Sequence, residues 1–341
     1  MFTVISTFSG CGGSSLGYQM AGGKILLAVE WDENAVKTYK ANFPDTDIYH
    51  GDIAALSVEE VLNRTKLKPG ELDIFDGSPP CQGFSTAGKR DFKDNRNQLF
   101  KEYCRLLKGL QPKCFVMENV SGMVKGDMKI IFAEILTELK ACGYQVKARL
   151  LNAKNYKVPQ NRQRVIFIGV RENLNKIPTF PLGSNCLISV KAALTGVKDY
   201  EDRTMKDWLK IAVKEIKPLG NSIHTGKVFK KYKGTTGSSI GTILLDWNKP
   251  SPTICKSEIS VSGLIHPSRK RYLNMDELKR LNSFPDDYKF TDRVSACMRI
   301  GNSVPPLLMK AIASHIRDNI LKPYTTFEDI KENGTGKEIH A

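Results

Sequence analysis

From residue 1 to residue 170, short runs rich in apolar and β-branched residues alternate with stretches whose apolar positions recur at helical spacing. The runs Thr3–Phe8, Ile25–Val29, Asp47–Tyr49, Leu72–Phe75, Cys114–Met117, Val146–Leu151 and Val165–Val170 predict strands. The stretches Ser14–Ala21, Asn34–Asn42, Glu59–Lys66, Gln98–Lys108 and Lys129–Cys142 predict helices. Such alternation predicts an α/β fold built on a doubly wound, mostly parallel sheet with right-handed crossovers. Ligands of these sheets sit at the carboxyl ends of the strands. The polar clusters fall there: Ser9 to Gly13, Glu30, Asp52, Cys81 and Glu118.

The texture changes near Pro181. Glycines, Ser/Thr clusters and lysines dominate Asn221 to Arg271, with short β-rich runs such as Thr242–Leu245. Helical periodicity returns at Met275–Asn282 and is strong over Leu307–Leu321. The pattern predicts a large domain over 1–180, a smaller β-rich domain over 181–290, a return segment over 291–321 that completes the first domain, and a polar, loose tail over 322–341.

The chain has 341 residues, 41% apolar and 26% charged, which excludes disordered and collagen-like classes. Its formal net charge of +15 points to a polyanionic partner, nucleic acid before an anionic membrane. Residues 221–273 hold nine Lys/Arg against two Asp/Glu, so much of that charge is concentrated in one segment. No run approaches the roughly 18 consecutive apolar residues of a spanning helix. The opening residues lack the pattern of a signal peptide, so a cytoplasmic chain without a membrane partner is expected. The eight cysteines contain no C-x2-C pair, which argues against a structural metal and a disulfide framework.

Phe8-Ser9-Gly10-Cys11-Gly12-Gly13 leaves a strand and opens a helix, and glycines there admit a ligand close to the backbone. Glu30, twenty residues past Gly10, ends the next strand, where an acid can bond both ribose hydroxyls. Asp52 ends the third strand, within reach of an adenine amino group. These features fit a nicotinamide cofactor and S-adenosylmethionine equally. Ser78-Pro79-Pro80-Cys81-Gln82 sets a cysteine on a rigid turn, and a thiolate there is a nucleophile if a cation stands near. Glu118 ends the following strand as a candidate proton donor. Arg162 and Arg164, two apart before a strand, are candidate fixed cations.

In this combination the chain resembles the C5-cytosine DNA methyltransferases over nearly its full length. The resemblance rests on Phe8–Gly13, Glu30-Trp31, Gly51-Asp52-Ile53, Pro79–Gln82, Glu118-Asn119-Val120, Gln160–Arg164, Arg280-Leu281 with Phe284-Pro285, and Gly301–Pro306, all in family order. It implies that Cys81 attacks cytosine C6, Glu118 binds and protonates N3, Arg164 contacts O2, and Arg162 supports the nucleophile or an adjacent phosphate. It implies an S-adenosylmethionine site in which Phe8 stacks on adenine and Ser9, Gly10, Cys11, Gly12 and Gly13 line the cofactor. Glu30 takes the ribose, Trp31 flanks the adenine, Asp52 and Ile53 read its edge, and Leu99, Asn302, Ser303 and Val304 complete the pocket. Cys11 departs mildly from the family pattern, at a place where a backbone role tolerates the change.

The implied chemistry accounts for these residue types. Thiolate addition at C6 with N3 protonated makes C5 enamine-like, and sulfur both attacks and leaves well. The base must first leave the duplex. The loop from Gly83 to Gln98 is expected to close on DNA with Ser85 near the target phosphate. Lys227, Lys230, Lys231 and Lys233 are expected to contact DNA. So is Thr253, in a Pro252-Thr253-Ile254 element similar to one in family recognition domains. The expected partner is duplex DNA and the expected state a monomer. The implied role is that of a modification enzyme of a restriction-modification system or an orphan methylase. Methylation of RNA and a non-catalytic DNA-binding protein on the same scaffold are the alternatives. The long basic segment favours DNA, and the intact Cys81, Glu118, Arg162 and Arg164 favour catalysis.

Overall fold

The computed structural model describes residues 1–80, 95–126, 128–220, 222–234, 242–256 and 263–322. Its strands are β1 (Phe2–Thr7), β2 (Gly23–Glu30), β3 (Asp47–His50), β4 (Ile74–Gly77), β5 (Cys114–Val120), β6 (Tyr144–Asn152), the short β7 (Gln160–Asn161) and β8 (Gln163–Arg171). All but β7 form one seven-stranded sheet in the order β3-β2-β1-β4-β5-β8-β6. Pairs among β1 to β5 are parallel, whereas β8 runs antiparallel to both β5 and β6. The mostly parallel sheet expected from the sequence is present. Its antiparallel end follows from chain length, because 153–162 are too few residues for a helical crossover. The strand order turns back between β1 and β4, the point at which such sheets open a ligand crevice.

Helices α1 (Gly13–Met20), α2 (Glu33–Asn42), α3 (Val58–Thr65), α4 (Asn95–Leu110) and α5 (Met128–Lys140) connect the first strands. The strands read as continuous apolar runs because both faces are covered. Ile5, Phe75, Phe115 and Phe167 point to one face and pack with Val61, Tyr103 and Ile135 of α3, α4 and α5. Their neighbours Val4, Ile74, Val116 and Ile168 point to the other, against Tyr18 of α1 and against Leu308, Ile312 and Ile316. Those last three belong to the return helix, which closes the domain roughly 300 residues after it opened.

The segment 181–290 departs from the sequence expectation. Among the described residues it holds α6 (Val190–Leu194), α7 (Asp207–Ala212), α8 (Ser222–Lys233) and α9 (Met275–Leu281). Its strands β9 (Ile243–Leu244), β10 (Ser251–Pro252) and β11 (Leu264–Ile265) are two residues each, so it is less β-rich than its composition suggests. Helix α8 falls inside the stretch expected to be irregular. Thr225, Val228 and Phe229 are buried at helical spacing, and the last two share a small core with Leu209, Leu244 and Ile265. Packing of that stripe overrides the poor helix propensity of Thr225 and Gly226, and the four lysines of α8 favour the helix. A second cluster joins the segment to the large domain, bringing Cys11, Ala28 and Tyr39 against Leu245, Ile254 and Leu281. The return segment carries α10 (Arg293–Asn302) and α11 (Pro306–Ile316), with one further helical turn at Arg317–Leu321, which matches the helix expected over Leu307–Leu321. The tail from residue 323 lies outside the described residues.

One carboxylate lies inside the sheet itself. Asp76 of β4 is buried and accepts hydrogen bonds from Ser6 Oγ and Tyr18 Oη, each at 3.0 Å. Burial pushes its pKa up to about 7, with the Glu118 charge adding to the rise. An acid whose folded pKa exceeds its unfolded value of about 3.9 takes up protons on folding, so stability falls as pH rises from about 4 to 7. Asn keeps both contacts without the charge, its Oδ1 accepting from one hydroxyl and its Nδ2 donating to the oxygen of the other. Asp76→Asn is therefore expected to stabilise the fold at pH 8 by roughly 2–4 kcal/mol and to change it little at pH 4. Urea melts of both proteins across that range check this, and a variant less stable than wild type at pH 8 would contradict it.

Candidate active site

The turn after β1 is built on left-handed backbone at Phe8 (φ +53°), Gly10 (φ +55°) and Gly12 (φ +88°). Phe8 is the unusual member, since a bulky residue adopts this region at a cost and chiefly where the site needs it. A Cβ on Gly10 would meet nothing within 4 Å, so this backbone faces open space. A Cβ on Gly13 would lie 2.5 Å from the Val304 carbonyl oxygen, so glycine lets α1 close on the C-terminal wall. Cys11 is buried, and burial pushes its thiol up to about 12. The thiol stays protonated at neutral pH and packs into the core, while the Cys11 carbonyl accepts a bond from Tyr288 Oη.

Glu30 ends β2 with its carboxylate wired to the backbone. Oε2 accepts from Gly10 N–H at 2.7 Å, and Oε1 accepts from Trp31 and Asp32 N–H at 2.9 Å each. Three of the roughly four acceptor sites of a carboxylate are thus taken, which leaves one on Oε2 for a ligand. Asp52 Oδ1 accepts from Ala54 N–H at 2.9 Å and so holds its own turn, with Ile53 buried behind it. Trp31 stands 77% exposed.

These groups border one cavity of about 1160 Å³. Phe8, Ser9, Gly10, Cys11, Gly13, Glu30, Trp31, Asp52, Ile53, Leu99, Glu118, Asn302, Ser303 and Val304 all line it, and of the expected cofactor residues only Gly12 does not. Gly12 instead caps α1. The volume exceeds the ~300–1,000 Å³ usual for one small ligand, so it suits two. Sequence reasoning missed Asp32, Asn119, Lys256, Met298 and Arg299, which also line it. Asp32 carries a signal that could have found it, a helix N-cap two residues after Glu30. Arg299 has only its place three residues before Asn302.

At the far end, Glu118 and Arg164 meet. Arg164 Nε lies 2.6 Å from Glu118 Oε1, with the two side chains 12% and 10% exposed. The antiparallel register sets this, pairing Val120 with Arg164 and Glu118 with Ile166 on adjacent strands. Asn119 Nδ2 donates to the Pro79 carbonyl at 3.2 Å, tying the end of β5 to the turn after β4. Cys81 and Ser85 lie outside the described residues.

Arg162 is placed differently from its neighbour. It is fully buried, and Nη1 donates to Ile254 O at 3.0 Å while Nη2 donates to Gly301 O and Ser303 O at 2.8 and 2.9 Å. Burial, with Arg164 adding to it, pushes its pKa down to about 9, so it is still charged at neutral pH. A guanidinium donating to three carbonyls inside the protein is a clamp, and Arg162 is not among the residues that line the cavity.

Lys227, Lys230, Lys231 and Lys233 are exposed on α8. Lys231 Nζ lies 2.6 Å from Glu215 Oε1, and Lys233 Nζ lies 5.9 Å from the Trp208 ring centre. Exposed pairs of this kind are weak and leave the lysines able to take another anion. Thr253 Oγ1 donates to Asn161 O at 2.8 Å, which places the Pro252–Ile254 element beside Arg162. No group of three or more His, Cys, Asp or Glu with metal-binding geometry occurs among the described residues. Nor is any described helix long and apolar enough to cross a membrane.

Comparison with known proteins gives a consistent picture. The family model described as C-5 cytosine-specific DNA methylase matches residues 2–318. The chain is 34% identical over 330 residues to Type II methyltransferase M1.HphI of Haemophilus parahaemolyticus, covering 92% of this chain and 86% of that one. It is 33% identical over 333 residues to Type II methyltransferase M.NgoPII of Neisseria gonorrhoeae, covering 93% and 96%. A crystal structure assigned as a DNA modification methyltransferase encoded within an E. coli prophage superposes with a TM-score of 0.75 at 26% identity, covering 94% of this chain and all of that one.

Proposed function

The chain belongs to the C-5 cytosine-specific DNA methylase family and is a methyltransferase of that family; from this premise we propose that it transfers a methyl group from S-adenosylmethionine to C5 of cytosine within one duplex DNA sequence. The observation that carries the proposal is one cavity lined both by the Phe8–Gly13, Glu30–Trp31 and Asp52 edge and by Glu118, whose carboxylate Arg164 holds from outside the lining. Its groups fit the cofactor. Gly10 leaves room at the backbone, Glu30 keeps one acceptor site, Phe8 and Trp31 offer ring faces, and Asp52 borders the same space.

The chain's residues then divide the work. Phe8 and Trp31 hold the adenine, Glu30 a ribose hydroxyl, Asp52 and Ile53 the adenine edge. The cytosine leaves the duplex and enters the other end of the cavity. Cys81 adds through sulfur to C6, Glu118 holds N3 and supplies a proton there, and Arg164 orients Glu118 and contacts O2. S-adenosylmethionine, when bound, supplies an electrophilic methyl group for C5. A base removes the C5 proton, the C6–S bond breaks, and Cys81 returns as thiolate. Arg162 acts from behind, holding Ile254 against Gly301 and Ser303 so that the C-terminal wall stays in place.

The segment 181–290 is proposed as the recognition module, with α8 and Thr253 toward DNA. Lysines on phosphates give affinity without sequence information, whereas contacts to base edges choose the site. The relatives named above are Type II methyltransferases, which supports a place in a restriction-modification system. Bisulfite sequencing of DNA from a host expressing the chain tests the proposal. Protected cytosines in one recurring motif are expected; DNA with no protected motif, or methylation confined to RNA, would contradict it.

A further inference from the structure

The cavity is assembled from parts of the chain that lie far apart in sequence. One edge is Trp31 and Asp32, at the start of α2, and a facing wall is Met298, Arg299 and Asn302, on α10. Arg299 crosses between them. Its Nη2 donates to Asp32 Oδ1 and its Nε donates to Asn34 Oδ1 at 3.2 Å, over sequence separations of 267 and 265. Asn34 returns the contact, donating from Nδ2 to Ser295 Oγ at 2.9 Å and Thr291 Oγ1 at 3.1 Å. At the other end of α2, Asn42 and Lys289 exchange two hydrogen bonds of 2.9 Å. Helix α2 is therefore stitched to 289–299 along its length, with Arg299 at the cavity end.

Asp32 is a sensitive place to grip. It caps α2, accepting from Ala35 N–H at 2.9 Å, and its own N–H donates to Glu30 Oε1 at 2.9 Å. A hold on Asp32 is thus a hold on the backbone that carries Glu30 and Trp31. The Arg299 side chain is 11% exposed and that of Asp32 36%, so water screens the pair from one side.

We infer that Arg299 is a positioning residue that locks the Glu30–Trp31 edge of the cavity to the Met298–Asn302 wall, and so prepays the ordering that cofactor binding would otherwise require. This rests on the S-adenosylmethionine site proposed above. A ligand that spans both edges binds with full affinity only if both stand ready. Arg suits the task because its planar fork presents two separate nitrogens to two acceptors in a fixed geometry, whereas a Lys ammonium is a point donor on a flexible stem. Glu118 and Arg164 make none of the bonds of the lock, so the chemical step at saturating cofactor is expected to be unaffected.

The test is isothermal titration of S-adenosylhomocysteine into the full-length wild type, Arg299→Gln, Arg299→Lys, Asp32→Asn and the Arg299→Gln/Asp32→Asn double variant. Asn remains a good N-cap through the same Oδ1 that faces Arg299, so Asp32→Asn removes the charge from the lock with α2 intact. Arg299→Gln is expected to weaken binding roughly three- to tenfold, the scale of a partly screened charge-assisted bond. Arg299→Lys is expected to recover part of that loss, and the double variant to bind no worse than the weaker single. The KM for cofactor should rise while kcat and the KM for DNA stay within about twofold. Wild-type affinity in Arg299→Gln, or single losses that multiply in the double variant, would overturn the lock. So would a fall in kcat and Tm together with a rise in the KM for DNA, which is the signature of general damage. A wild type that binds no S-adenosylhomocysteine would overturn the cofactor site and the lock with it; a wild type that binds, beside an unchanged Arg299→Gln, overturns the lock alone.

Discussion

Glu118→Gln is expected to slow methyl transfer by at least about 100-fold, within the 10²–10⁴ range of a positioned proton donor, while S-adenosylhomocysteine binding stays within about twofold. Gln keeps the shape of the side chain and its place at the end of β5. It cannot deliver a proton to N3, and it leaves Arg164, whose side chain is 12% exposed, without its anionic partner. The loss should therefore fall on kcat, since the proton is needed only as C5 becomes nucleophilic. Rates of labelled methyl incorporation into duplex DNA, measured at saturating cofactor, check this. A variant within fivefold of wild type would remove Glu118 from the cytosine site.

Cys81→Ser is expected to remove methyl transfer below detection. A serine hydroxyl near neutral pH is a far weaker nucleophile than a thiolate and a poorer leaving group from C6. The described residues prepare the place for it. Strand β4 ends at Gly77, and Asn119 holds the Pro79 carbonyl two residues before Cys81. Cofactor affinity should be unchanged, because the groups proposed to bind it lie at the ends of β1, β2 and β3, on α4 and in the return segment. Transfer by the Ser variant at a tenth of the wild-type rate or more would contradict the assignment.

How much of this was legible in the sequence depended on how local the cause was. The turn from Phe8 to Gly13 could be read because positive φ calls for glycine. Glu30 could be read because one crossover fixes its distance from that turn. The strands could be read from their apolar runs. Their order could not be taken to the end of the sheet, because whether β8 pairs in parallel is set by the length of the link from β6. Helix α8 was hidden by Thr225-Gly226 and by the Gly/Thr/Ser-rich sequence that follows it, and its buried stripe at Thr225, Val228 and Phe229 accounts for it. Arg162 and Arg164 look alike in the sequence, two positions apart. One lies inside the protein on three carbonyls and the other at a carboxylate, a difference made by the C-terminal segment that packs behind them. The Arg299–Asp32 contact spans 267 positions, and no local pattern announces it.

The central claim is a covalent attack by Cys81 on cytosine C6 in a site that also holds the methyl donor. Duplex DNA carrying 5-fluorocytosine at the target position tests it most directly, since fluorine at C5 cannot leave as a proton and the C6–S bond is trapped. The expected result is a denaturation-resistant protein–DNA complex that forms with wild type and S-adenosylmethionine, does not form when the cofactor is omitted, and does not form with Cys81→Ser. Capture by Cys81→Ser, or none by wild type on a duplex that it methylates when unmodified, would contradict the account.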